Sequence, residues 1–178
     1  TAEPTATPLP LNPVRIAIPD LKIDAPVVEM GWEVAQTQSG PVSQGAIPKN
    51  AAGHHINSVS LGQPGNLVLS GHNNIYGQVF KPISQAWNND KLVKVDAFTD
   101  RSDVLNGRII ELFDEAGAPH RYVITEFYRL KDTGVSAQQR IENARFIMPT
   151  EDERLTIITC WPPTNNTHRL AVIARPEK

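Results

Sequence analysis

One cysteine occurs in the 178 residues, Cys160, and it closes the apolar run Leu155-Thr156-Ile157-Ile158-Thr159. Trp161, Pro162 and Pro163 follow, and Arg169 opens the next apolar run nine residues after the thiol. A thiol does nucleophilic chemistry when it is accessible, has a base within reach, and faces a positive group where a carbonyl oxygen becomes an oxyanion. A strand ending near Cys160 would leave the sulfur at a sheet rim, with the two prolines stopping further pairing. If Pro162–His168 is a loop between antiparallel neighbours, Cys160 and Arg169 return side by side. The guanidinium could then stabilise both a thiolate and a developing oxyanion. Taken singly, a cysteine is as readily a small buried apolar residue, and an arginine a surface ion-pair partner.

The base has to come from His54, His55, His72, His120 or His168. His120 lies in a proline-flanked turn and is expected to be solvated. His54-His55 is an adjacent pair with no third ligand at helical spacing, so no metal is expected there. His168 precedes Arg169, and consecutive strand residues face opposite ways, so both cannot easily point at Cys160. That leaves His72, at the end of Gly65-Asn66-Leu67-Val68-Leu69-Ser70-Gly71-His72. Spacing favours it only mildly, since glycine-flanked histidines often do no more than end strands.

The elements that must hold these groups read as short strands. Val14–Ile18 and Leu21–Val28 are apolar or alternating runs punctuated by Pro19 and Pro26, which suits edge strands. Gly31–Gly62 is polar, rich in Gly, Pro and Ser, and reads as a long loop region. Leu67–Leu69 is a buried strand, Val79–Trp87 holds a short helical turn, and Leu92–Phe98 alternates. Asn106-Gly107 turns into Arg108–Phe113, which pairs with Arg121–Leu130 across the loop at 114–119. Ser136 with Gln139 forms a capping box for a helix over Ala137–Arg145. Leu155–Thr159 and Arg169–Arg175 are the last strands. The sum is about seven or eight strands with one or two small helices, a mostly-β sandwich or closed barrel.

Composition bounds the function. At 40% hydrophobic and 20% charged, the chain can bury a core as one domain. A formal net charge of −2 gives no electrostatic case for nucleic acid. No apolar stretch approaches the roughly 20 residues of a membrane helix. Thr1–Pro13, with Pro4, Pro8, Pro10 and Pro13 among small polar residues, reads as a Pro/Thr-rich flexible stalk ahead of a domain over 14–178. With no initiator Met, the sequence is expected to be part of a longer chain. In an exported protein, an unpaired cysteine is a liability unless it does chemistry.

Gly65–His72, Thr156-Ile157-Ile158-Thr159-Cys160 and Asn166-Thr167-His168-Arg169-Leu170 together resemble the sortase family of cysteine transpeptidases. The second matches that family's Thr-Leu-x-Thr-Cys signature with Ile for Leu, and the third is similar to pilin-type members. Arg15–Pro19 and Ile23–Val28 also resemble the family's first strands. The resemblance implies a closed eight-stranded β-barrel. By position it implies Cys160 as nucleophile, His72 as acid/base and Arg169 as the group binding the carbonyl and oxyanion. Thr159 and the backbone amide of Trp161 would be further candidates for that hole. It implies cleavage of an LPXTG-like sorting signal through a Cys thioester and transfer of the cargo to an amine on the cell wall, with no cofactor. Its partners would be the sorting-signal peptide and an amine acceptor, either a cell-wall precursor or a pilin lysine. Its place would be the extracellular face of the membrane, held there by an anchor outside this sequence.

No Asp-Pro-aromatic lid motif precedes Val14, which departs from pilin-polymerising members, and no dense acidic cluster suggests a calcium site. Trp161-Pro162-Pro163 and the long Gly31–Gly62 region look more like the divergent class D or class E members. Three readings stand beside cell-wall transfer: a pilin polymerase with a lysine acceptor, a peptidase releasing acyl groups to water, and a non-catalytic secreted β-barrel that binds a surface ligand.

Overall fold

Strand β1 (Arg15–Ile18) ends at Pro19, and a single 3-10 turn over Pro19–Leu21 reverses the chain. Lys22 takes a left-handed conformation (φ 54°) and bonds back to the Pro19 carbonyl, which starts β2 (Ile23–Met30) antiparallel to β1. The computed structural model describes residues 10–38 and 40–178. Most of the expected stalk therefore lies outside the described residues. Within its last residues, Leu11 bridges to Leu61 and Pro13 is buried, so this end of the segment touches the body of the domain.

Gly31–Gly62 is not the continuous loop its composition suggests. It contains an antiparallel hairpin, β3 (Trp32–Thr37) and β4 (Gly40–Gly45), and then β5 (Ala52–His55), which runs parallel to β2. β6 (Asn66–Ser70) follows antiparallel to β5. Helix α1 (Lys81–Ala86) starts with a proline in its first turn, where a missing N–H costs nothing. The alternating stretch Leu92–Phe98 yields only β7 (Val93–Lys94), with Val93 and Val95 exposed, followed by β8 (Thr99–Arg101). With no buried face to satisfy, its alternation has nothing to enforce a longer strand.

The Asn106-Gly107 turn leads into β9 (Ile109–Phe113), which pairs with the first half of β10 (Pro119–Lys131). The second half of β10 pairs with β8 on the same edge, and the other edge carries the final strand. Helix α2 (Ala137–Asn143) begins as expected, the Ser136 hydroxyl accepting from the Gln139 N–H at 3.1 Å. β11 (Arg154–Trp161) and β12 (His168–Pro176) complete the chain.

Neighbour order around the sheet is β1, β2, β5, β6, β11, β12, β10, β9 and back to β1, an eight-stranded closed barrel. Its core is the row of inward residues that alternation along each strand provides, Ile16, Leu69, Phe127, Ile157 and Val172 among them. Each such side chain contributes about 1.5–3 kcal/mol on leaving water. β6 and β11 run parallel, and residues 71–153 lie between them, enough chain for the crossover such a pair requires.

Candidate active site

The parallel register of β6 and β11 sets Ser70 opposite Ile158. Cys160 lies two residues further along β11, and His72 two residues past the last residue of β6. Three hydrogen bonds hold the segments together past the end of the ladder. The Gly71 N–H donates to the Ile158 carbonyl at 3.2 Å, the Thr159 hydroxyl to the Gly71 carbonyl at 2.8 Å, and the Asn73 amide to the Cys160 carbonyl at 2.8 Å. On the other side of β11, Cys160 pairs directly with Arg169 of β12, and Arg169 pairs in turn with Leu130 of β10.

Residues opposed in a ladder share a face of the sheet. Thr159 and Leu170 belong to the inward row, with Ile157 and Val172. Cys160 and Arg169 therefore face outward. The neighbouring pair Trp161 and His168 returns to the inner side, at the barrel mouth. His168 and Arg169 thus lie on opposite faces of β12.

Gly71 has no room for a side chain: a Cβ there would sit 2.6 Å from the Phe80 ring. Phe80, fully buried, donates its N–H to the His72 carbonyl at 3.0 Å, so the turn into α1 fixes where His72 leaves the strand. Asn66 uses its whole amide structurally. It donates to the Phe146 and Met148 carbonyls at 3.0 Å each and accepts from the Thr156 hydroxyl at 2.7 Å. These bonds fasten the chain after α2 over the outer face of β6 and β11.

His72 is half-buried at the wall of a cleft of about 520 Å³ lined also by Tyr76, Ile47, Lys49, Glu33 and Gln44. Its ring meets Tyr76 edge-on at 5.3 Å. Burial pushes the imidazole pKa down, against a hydrogen bond to the Ile47 backbone that pulls it up. Cys160 is partly buried and its thiol is pushed up by burial; nearby Arg169 lowers it and Asp132 raises it. Both net shifts favour the neutral forms, a thiol and an unprotonated imidazole.

Arg169 bonds to Asp132 through Nη2 at 3.0 Å, while Nη1 reaches the Asn166 and His168 carbonyls at 3.4 and 3.5 Å. Thr159 is buried with its hydroxyl proton donated to Gly71, so the side chain fixes β11 against the His72 segment. Trp161 carries the Arg129 guanidinium 4.6 Å above its ring and His168 against its edge at 5.4 Å.

The other histidines differ from His72. His55 is buried and shares a 2.7 Å hydrogen bond with Ser70, burial pushing it down to about 4. His54 is buried and donates to the Val59 carbonyl at 3.0 Å. Among the described residues no cluster of three or more His, Cys, Asp or Glu could hold a metal ion. His120 is not a solvated turn residue. It lies on β10 with Nε2 3.0 Å from Asp114 Oδ2, because Asp114 also accepts from the Ala116 and Ala118 N–H groups and so is fixed beneath the ring.

Asn73 and Asp132 are the contributors that sequence reasoning missed. Asn73 is fully buried beside a strand end, and Asn74 likewise donates to the Pro163 carbonyl at 2.8 Å. The signal available was the doubled Asn after His72, a residue type that commonly bonds backbone carbonyls in turns. Asp132 carried no sequence signal beyond its place just past a strand.

Solved structures share this architecture. Sortase A from Corynebacterium diphtheriae, as a lid mutant, matches 98% of this chain and 73% of its own at 17% identity and TM-score 0.61. Sortase A of Listeria monocytogenes matches 93% and 88% at 22% identity and TM-score 0.57. The Clostridium perfringens sortase D5 transpeptidase matches 94% and 79% at 21% identity and TM-score 0.57. At these identities the likeness shows the fold. No curated protein sequence matches the chain. Among the described residues no helix is long and apolar enough to cross a membrane. The sortase domain model matches residues 16–177, nearly the whole barrel from β1 to β12, and the chain belongs to the sortase family of cysteine transpeptidases.

Proposed function

We propose that Cys160 attacks a Thr–Gly-type peptide bond in an LPXTG-like sorting signal. The thiol proton passes to His72 and the sulfur bonds to the carbonyl carbon. Arg169, and the backbone amide of Trp161, hold the oxyanion that forms. Collapse of that intermediate expels the amine, which takes the proton from His72, and leaves a Cys160 thioester. A cell-wall amine then attacks the thioester, losing its proton to His72, and cargo and acceptor are joined while the thiol is regenerated. The observation that carries this reading is the direct pairing of Cys160 with Arg169, with His72 at the end of the strand on the other side.

The Trp161-Pro162-Pro163 exit and the extended region before β5 support a divergent, class D or class E type of member. The family places such enzymes at the cell surface. We read Thr1–Pro13 as a stalk holding the domain 14–178 to an anchor on the extracellular face of the membrane.

Incubation with a library of sorting peptides and a glycine oligomer, followed by intact-mass spectrometry, is expected to show an acyl adduct on Cys160 that the amine discharges to an amide product. Cys160→Ala is expected to lose adduct and product while keeping its thermal midpoint. Transfer by that variant near the wild-type rate ends the proposal. Release to water regardless of amine identifies a peptidase, and discharge only by a lysine-bearing pilin identifies a polymerase.

A further inference from the structure

Asp132 is the first residue past β10, and its position is fixed by backbone bonds. The N–H groups of Asp132 and Thr133 both donate to the Thr167 carbonyl, at 3.1 and 3.0 Å. Thr167 directly precedes β12, so the end of β10 is fastened to the start of the strand that bears Arg169. The Asp132 carboxylate meets Arg169 at 3.0 Å, and among the described residues no other cation pairs with it. The adjacent charges Lys131 and His168 oppose each other on the inner side of the barrel, away from this contact.

We propose that Asp132 is a positioning residue for the transfer reaction: it grips one edge of the Arg169 guanidinium and holds the remaining N–H groups toward the carbonyl bound at Cys160. This rests on the reading of Cys160 and Arg169 given above. A guanidinium carries five N–H donors in a planar fork, so one edge can be held while another serves a ligand. The Nη1 contacts to the Asn166 and His168 carbonyls are long and readily surrendered to an oxyanion, whereas the carboxylate contact is not. An arginine chain without such a grip has several rotamers to choose among, and misplacement by an ångström is costly in a reacting complex.

The same carboxylate has an opposite effect on the sulfur. The charged groups that act on the Cys160 thiol are Arg169 from β12 and Asp132 from the end of β10. Arg169 lowers the thiol pKa and Asp132 raises it. A variant that removes the Asp132 charge should therefore make the thiol easier to ionise while making the enzyme slower. A side chain with a purely structural role would not produce that combination.

The test uses Asp132→Asn, with Asp132→Ser as a second variant that removes the charge without adding an amide. Iodoacetamide alkylation of Cys160, followed against pH, is expected to shift its inflection downward in both. Amine transfer is expected to lose about tenfold or more in kcat, with a smaller change in KM for the sorting peptide. Asp132→Glu is expected to restore the alkylation profile and most of the transfer rate. An unmoved or upward inflection, or transfer at the wild-type rate in both charge-removing variants, overturns the proposal. The alkylation arm needs no transpeptidation, so it still reads Asp132 if the transfer chemistry itself proves wrong.

Discussion

Two arginine–aspartate pairs flank the Cys160-Trp161 strand end, and they are built differently. Arg129 pairs across the ladder with Asp100, its Nε and Nη2 both on one carboxylate oxygen at 3.1 and 2.5 Å, and its Nη1 on Asn89 at 2.6 Å. Its guanidinium lies near the Trp87 and Trp161 rings, at 5.1 and 4.6 Å. Lys94 adds a second cation to Asp100 at 2.6 Å. Side-chain exposure is only 11% for Arg129 and 7% for Asp100. Arg169 has one firm contact, to Asp132, with exposures of 38% and 28%, and among the described residues no aromatic ring lies over it. The first arginine has its donors and ring faces committed, so it can support the Trp161 wall and do little else. The second retains donors that a substrate can claim. How many of a guanidinium's bonds are already made distinguishes the two arginines, although the ion pairs look alike in sequence.

Exchanging each arginine for lysine or an apolar residue tests that contrast. Arg169→Lys is expected to cost about a hundredfold in kcat for transfer, because a point charge cannot reproduce the planar fork at an oxyanion. Its thermal midpoint should stay close to wild type, and a transfer assay paired with a melting curve checks both. Unchanged turnover would remove Arg169 from the reaction. Arg129→Met should behave the other way round. Stranding the buried Asp100 with Lys94 alone is expected to cost roughly 3–5 kcal/mol and lower the thermal midpoint by on the order of 10 °C. The folded fraction should still be alkylated at Cys160. A variant as stable as wild type would make the two pairs equivalent and erase the distinction.

The smallest effect is expected at His168, which lies between the pairs. Burial, then Arg129 and Lys131, push its imidazole pKa down, while Asp100 and, less strongly, Asp132 push it up. Followed by NMR titration, the His168 pKa should rise in Arg129→Met and fall further in Asp132→Asn. Equal movement in both variants would mean that His168 senses general loosening of the strand end rather than either charge.

The pairing of Cys160 with Arg169 was legible because it depends on local facts: two apolar runs, a proline-stopped strand and a loop short enough to reverse the chain. The buried inward rows were legible for the same reason, since period-two burial leaves a trace in composition. The β3–β4 hairpin was not. Trp32 and Val34 lie exposed and the partner strand is Gly/Pro/Ser-rich, so neither face imposes an apolar pattern. β5 was hidden by its content, because Ala-Gly-His-His carries two histidines that are buried only once Ser70 and the Val59 carbonyl come to meet them. Asn73 and Asp132 were invisible for a further reason. Each works through a partner 87 or 37 residues away, and a polar side chain does not announce a distant acceptor.

β12 seals the ring by joining β10 to β11, and it is also the strand that delivers Arg169. Without that stave, the thiol would stand on an unfinished edge with neither its cation nor its neighbouring loop in place. An incompletely assembled barrel would therefore carry a sulfur that can be oxidised or alkylated but cannot transfer an acyl group. On the reading proposed for Cys160 and Arg169, competence for transfer would arrive together with closure of the barrel.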